Sequence, residues 1–220
     1  MTTHSSEDRQ SGIASCRIEE SMSRIAVDAV LLPDEAMTAR AIESNRKLVE
    51  KLGNKIVLGK DDCLPHISLA MGCIDERDVS PIRDILKAIT AKNRFGELNI
   101  CGIITSTNAK DEKVSVFEVT RTQELQKLHE TVMKKLRLFF SYDITDEMLY
   151  VNDAVAETTL EWIRNYPVKS SFEHFMPHIT IGYGQAQIEA FPILFRASRL
   201  ALCHLGNHCT CRRILAAVDL

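Results

Sequence analysis

The sequence predicts an α+β protein with two similar halves. Two observations carry that expectation. The octapeptide Pro65-His66-Ile67-Ser68-Leu69-Ala70-Met71-Gly72 recurs as Pro177-His178-Ile179-Thr180-Ile181-Gly182-Tyr183-Gly184. The hydrophobic periodicity also runs β-α-β-α-β-β-α-α-β-β-β, so each octapeptide follows a helix and precedes further strands. No Gly-, Pro- or Ser-rich linker separates the halves, which points to lobes of one domain.

Residues 1–21 are polar, with Ser5, Ser6, Ser11 and Ser15 and few large apolar side chains, and read as a disordered tail ahead of a domain over 22–220. Arg24 to Leu32 alternates and is β-branched, as a strand does. Pro33-Asp34 opens a helix with Asp34 as N-cap, closed near Leu52 by Gly53-Asn54. The first octapeptide is then a strand over about 63–71. Ser80-Pro81 starts the next helix, with Pro81 at its first position, and that helix ends near Asn93. Leu98–Thr105 and Lys113–Thr120 form two strands around a polar turn at Asn108–Glu112. Arg121 to Phe140 reads as the longest helix, with Leu125, Leu128, Val132, Leu136 and Phe139 on one face. A further helix over about 154–165 ends before Pro167. The second octapeptide follows, and Arg199–Leu205 with Cys211–Val218 make a hairpin around Gly206-Asn207.

Composition narrows the function. Apolar residues make up 45% and charged residues 26%, as in ordinary soluble domains. No apolar run approaches the roughly 20 residues of a membrane span, and the N-terminus lacks the apolar core of a signal peptide. A cytoplasmic, monomeric protein is expected. Seven scattered cysteines suit reduced, buried thiols better than a disulfide framework. A net charge of −3 argues against duplex DNA as partner and for a small ligand or a nucleic-acid end in a local pocket.

The octapeptides carry the candidate chemistry. On a strand, side chains at i and i+2 share a face, so His66 points with Ser68 and His178 with Thr180. If the halves pack around a pseudo-twofold axis, both pairs meet in one cleft. One histidine can then take a proton while the other gives one. Two hydroxyls can donate to the oxygens of a phosphate as charge builds there. No metal and no cofactor is needed for either task. A single His-x-Ser or His-x-Thr is more often structural. Two copies on otherwise apolar strands point to a site, because a buried polar side chain without a partner costs about 1–3 kcal/mol.

This pair of motifs, one per half, resembles the 2H phosphoesterase superfamily, which includes the RNA 2′,3′-cyclic phosphodiesterases, also called 2′-5′ RNA ligase-like proteins. The resemblance rests on the two octapeptides and, in element order, spans about 22–220. It implies two lobes, each an antiparallel sheet with outer helices, related by a pseudo-twofold around a central cleft. It implies His66 and His178 as the catalytic pair, with Ser68 and Thr180 binding phosphate oxygens. It implies as partner a nucleotide or RNA end bearing a cyclic phosphate, opened to a 2′-phosphate. His178 would activate water and His66 would protonate the leaving 3′-oxygen. Many bacterial relatives carry a basic residue where this chain has Tyr183, a candidate to stack on a base or donate from its phenol, or simply to line the pocket. Cleavage of 2′-5′ or 3′-5′ linkages and nucleotide binding without turnover are the alternatives.

Other clusters carry less. Cys203, His204, His208, Cys209 and Cys211 lack the two separated ligand pairs of a closed zinc site. Pro177 disrupts a helical pairing of His174 with His178. Neither Ser68 nor Thr180 sits in a Gly-x-Ser-x-Gly nucleophile elbow. Trp162 and Lys60 read as packing and solvated surface.

Overall fold

The computed structural model describes residues 23–52, 55–92, 95–108, 110–150, 154–187 and 190–220. The expected tail over 1–21 and the helix stop at Gly53-Asn54 lie outside these residues. The fold is α+β, with seven antiparallel strands and four α-helices in the order read from the sequence.

Strand β1 (Arg24–Pro33) is followed by α1 (Glu35–Leu52). The Asp34 side chain caps α1 as expected, accepting from the Met37 N–H at 2.8 Å. Strand β2 (Ile67–Asp75) carries the first octapeptide. It begins later than the sequence suggested, because residues 55–63 form bends that deliver the chain to Pro65. A 3-10 turn over Glu76–Asp78 runs straight into α2 (Val79–Thr90). Ser80 and Pro81 therefore lie inside its first turn and do not start it. Pro81 is tolerated there because first-turn N–H groups have no intrahelical acceptor.

Strands β3 (Glu97–Thr107) and β4 (Lys113–Val119) form the expected hairpin. Helix α3 (Gln123–Leu136) starts at a Thr122 cap. At 14 residues it is shorter than the 18 of α1, so the expected longest helix is not the longest. Leu125, Leu128, Val132 and Leu136 are buried as the periodicity required, while Phe139 lies beyond the helix and is half-buried. Helix α4 (Glu157–Lys169) passes through Pro167 instead of ending before it. The proline sits in the last turn, where one missing donor leaves the preceding turns intact. Strand β5 (His178–Tyr183) holds the second octapeptide, and β6 (Ile193–Leu205) pairs with β7 (Cys211–Asp219).

The strands join in one sheet in the order β2-β1-β6-β3-β4-β5, with β7 also on β6. The 13-residue β6 makes this possible. Its first residues pair with β3, and the rest with β1 and β7. Although β2 and β5 end the strand path, they touch each other, so the sheet curls to bring the two octapeptides together. Helix packing is reciprocal: α1 from the first half lies on β5, and α3 from the second half lies on β2. Among the described residues no helix is long and apolar enough to cross a membrane. All six described cysteines are free thiols; Cys101 is exposed and Cys209 half-buried, against the expectation of uniform burial.

Candidate active site

Both motif strands share one local construction. Along β2 the flanking Ile67 and Leu69 are buried, while His66, just before the strand, and Ser68 are half-buried. Along β5, Ile179 and Ile181 are buried, while His178 and Thr180 are half-buried. The expected alternation therefore holds in both copies. Each strand also carries a bulge at the same motif position. Leu69 has no opposite number between Ala29 and Val30, and Ile181 has none between Ser115 and Val116. A bulge removes one residue from the ladder and leaves its polar groups to find other partners.

Those partners come from the helix of the other half. His129 of α3 is buried, and its Nδ1 lies 2.7 Å from the Leu69 carbonyl. Its Nε2 accepts the Phe172 N–H at 2.8 Å, and its ring stacks on Phe175 at 4.0 Å. A carbonyl can only accept, so His129 is neutral with its proton on Nδ1. Burial pulls it down to about 4. Asn45 of α1 does the equivalent work on β5. Its Nδ2 donates to the carbonyls of Ile181 (2.7 Å) and Ile56 (2.9 Å), and its Oδ1 accepts the Leu58 N–H at 2.9 Å. Neither residue was singled out from the sequence. Their only signal was a polar side chain on the apolar face of an amphipathic helix.

The two candidate histidines are fixed in the same way. His66 Nδ1 lies 2.7 Å from the Leu64 carbonyl, and His178 Nδ1 lies 2.8 Å from the Met176 carbonyl. In each case the carbonyl sits two residues back. Nδ1 must again carry the proton, which leaves the Nε2 lone pair of both rings available. Burial pulls His66 down to about 4, against the Leu64 hydrogen bond, and the charge of His178 adds to the fall. His178 is also lowered by burial, again against its carbonyl partner. Both are neutral imidazoles at pH 7 in the free protein.

A narrow cleft of about 20 Å³ is lined by His66 and Thr180 together with Ile56, Leu58, Cys63, Leu64, Pro65, His208, Cys209 and Thr210. Ser68, His178 and Tyr183 lie outside that lining. The Tyr183 hydroxyl is 3.2 Å from His208 Nδ1, and Lys55 Nζ lies 4.9 Å from the centre of its ring. The phenol is thus engaged at the rim, and Lys55, itself paired with Glu112, brings a cation to this side of the cleft.

Behind His66 lies a group the sequence reading missed. Asp28 of β1 is completely buried, and neither carboxylate oxygen makes a hydrogen bond of normal geometry. Burial pushes its carboxyl up to about 8, opposed by the nearby Ser68 hydroxyl and the Leu69 and Ala70 amides. Asp28, His66 and Cys211 place one donor atom each within 4.8 Å of one another. The warning in the sequence was a lone carboxylate in the apolar run Arg24–Pro33. The cysteine–histidine cluster around 203–211 is gathered only in part, through the contact of the Cys203 and Cys211 thiols. His204 bonds the Met148 carbonyl and His208 bonds Tyr183, while Cys211 turns toward Asp28 and His66. Neither a scan of the chain against models of protein families nor a search of curated proteins finds a match.

Proposed function

We propose that the chain is a phosphodiesterase that opens a 2′,3′-cyclic phosphate on a nucleotide or RNA end to a 2′-phosphate, by acid–base catalysis between His66 and His178. The observation that carries this reading is their matched state. Two imidazoles at equivalent points of two repeated strands are held in one tautomer, each with Nε2 free. One Nε2 takes a proton from water as the water oxygen attacks phosphorus. The other ring, protonated at Nε2, gives its proton to the departing 3′-oxygen as the P–O bond breaks. Ser68 and Thr180 donate to the non-bridging oxygens, whose charge grows in the transition state.

In this reading the two halves are lobes related by an approximate twofold through the cleft. The matched bulges at Leu69 and Ile181 and the reciprocal ties from His129 and Asn45 support that relation. The resemblance gives water activation to His178 and protonation to His66. Burial lowers both rings, so both are neutral in the free protein and either can serve as the base.

The test is mass spectrometry of products from a panel of 2′,3′-cyclic nucleotides and short RNAs with a cyclic end. The expected product is the 2′-phosphate. A mononucleotide bound tightly by the wild-type chain and never turned over would replace this reading with nucleotide binding alone.

A further inference from the structure

We propose that Asp28, His66 and Cys211 form a binding site for a thiophilic divalent cation of the zinc class, and that its occupancy silences the histidine chemistry. The inhibitory half rests on the function proposed above; the site itself does not. Three different donor types converge, a carboxylate oxygen, an imidazole nitrogen and a thiol sulfur, all within 4.8 Å of one another. Oxygen, nitrogen and sulfur donors together suit zinc, whose sites with three protein ligands keep a fourth position for water. Tetrahedral bonds of about 2.0–2.3 Å separate ligand atoms by roughly 3.3–3.8 Å, so the trio needs to contract by only about 1 Å.

Two further observations point to a cation. Asp28 is 0% exposed, and its oxygens make no hydrogen bond of normal geometry, although the Ser68 hydroxyl and the Leu69 and Ala70 amides lie near enough to favour its charged form. A fully buried carboxyl with only poorly aligned donors is costly, and a bound cation would offset that cost. Asp28 also stands outside the repeated apparatus. It lies opposite Met71 in the ladder, five residues after the motif histidine, and the matching position opposite Tyr183 is Val114. Symmetry of the catalytic halves therefore gives Asp28 no role.

The surroundings are already arranged for ligation. His66 gives its Nδ1–H to the Leu64 carbonyl, the outer hydrogen bond that orients a metal-bound imidazole and leaves Nε2 as ligand. The Leu64 N–H donates to the Cys211 carbonyl at 2.9 Å, which ties the His66 loop to the strand of Cys211. On binding, metal–oxygen, metal–nitrogen and metal–sulfur bonds form, and the protons of the Cys211 thiol and the Asp28 carboxyl pass to solvent. No oxidation or reduction is involved. An Nε2 that holds a metal has no lone pair left for a proton, so metal binding and acid–base catalysis at His66 exclude each other.

The test is a titration of the full chain, stripped with chelator, with cobalt(II) and then zinc. Tetrahedral cobalt bands with a sulfur-to-cobalt charge-transfer band are expected, bleached by zinc. Cys211→Ser should abolish the charge-transfer band, Asp28→Asn should weaken cobalt binding at least tenfold, and Cys101→Ser on the exposed β3 position should change neither. X-ray absorption of the wild-type zinc complex covers the case of variants that fail to fold. A shell of one sulfur with nitrogen and oxygen neighbours supports the site, and a shell without sulfur overturns it. No charge-transfer band in the wild type, or one that survives in Cys211→Ser, also overturns it. Zinc should inhibit cyclic-phosphate hydrolysis and chelator restore it; stimulation by zinc would sink the inhibitory half. A chain that binds cobalt through Cys211 yet hydrolyses nothing ends the functional reading and leaves the site standing. Hydrolysis without sulfur-bound metal does the reverse.

Discussion

In the proposed mechanism, replacing His66 or His178 by Ala removes one partner in proton transfer, a step worth about 10²–10⁴-fold in rate. Steady-state assays should show losses in that range for both. Ser68→Ala and Thr180→Ala remove one neutral donor each and should cost less than either histidine; a hydroxyl variant as damaged as His178→Ala would contradict the assigned roles. The pH dependence follows from the two lowered histidines. The base works only above its pKa and the acid only below its own. With both pulled below the usual 6.5, kcat/KM of chelator-treated protein should trace a bell whose descending limb lies on the acid side of 6.5. The limbs belong to the pair, so the profiles of the two Ala variants are needed to assign them. A free-protein optimum above pH 7 would show that burial does not govern these rings. This candidate pair was legible in the sequence because its octapeptide occurs twice. Asp28 occurs once and was hidden by its strand, and its convergence with Cys211 depends on β6 and β7 joining β1, which no local pattern announces.

At the scale of elements, the order of strands and helices was readable from period and punctuation, while the bulges were not. A bulge is a mismatch between two strands, so neither strand shows it alone. Asn45 and His129 satisfy the bulged carbonyls, and each joins a helix of one half to the motif strand of the other. Asn45→Ala would leave the Ile181 and Ile56 carbonyls and the Leu58 N–H without their partner. Each such group costs about 1–3 kcal/mol, softened by local relaxation, so a loss of about 2–4 kcal/mol is expected from denaturant midpoints. Glu161→Ala on the exposed face of α4 should stay within about 0.5 kcal/mol. Comparable midpoints for the two variants would deny Asn45 its part in holding β5. Gly182 sharpens the same point. Its φ of +145° is disfavoured for other residues, and an added Cβ would come within 2.8 Å of Asn45 Nδ2. Gly182→Ala should therefore both destabilise the chain and displace Thr180, with a loss of turnover in the molecules that remain folded.

At the scale of the whole molecule, the curled sheet brings β2 and β5 together beside buried His129, and this ties stability to pH. His129 has the shared duty of bonding Leu69 on β2 and Phe172 ahead of β5, so it links both motif strands. Its folded value of about 4 lies below the 6.5 of an unfolded histidine, with burial as the main cause, Glu130 opposing and Arg121 adding to the fall. The sign is fixed by that order. Above pH 6.5 both states are neutral at this site and the folded chain keeps its full stability. As pH falls from 6.5 toward 4 the unfolded chain takes up the proton and the folded one resists, so stability drains away across that window. Local relaxation around the ring reduces the effect, leaving a contribution on the order of 2 kcal/mol. His66 and His178 are lowered in the same direction and add to it. Guanidinium midpoints of the wild type should therefore fall between pH 7.5 and pH 4.5. His129→Gln should be less stable at pH 7.5, having lost the stacking on Phe175, yet should show a smaller fall over the same interval. A variant whose midpoint drops by as much as the wild type would remove His129 as a source of acid sensitivity and leave His66 and His178 to account for it.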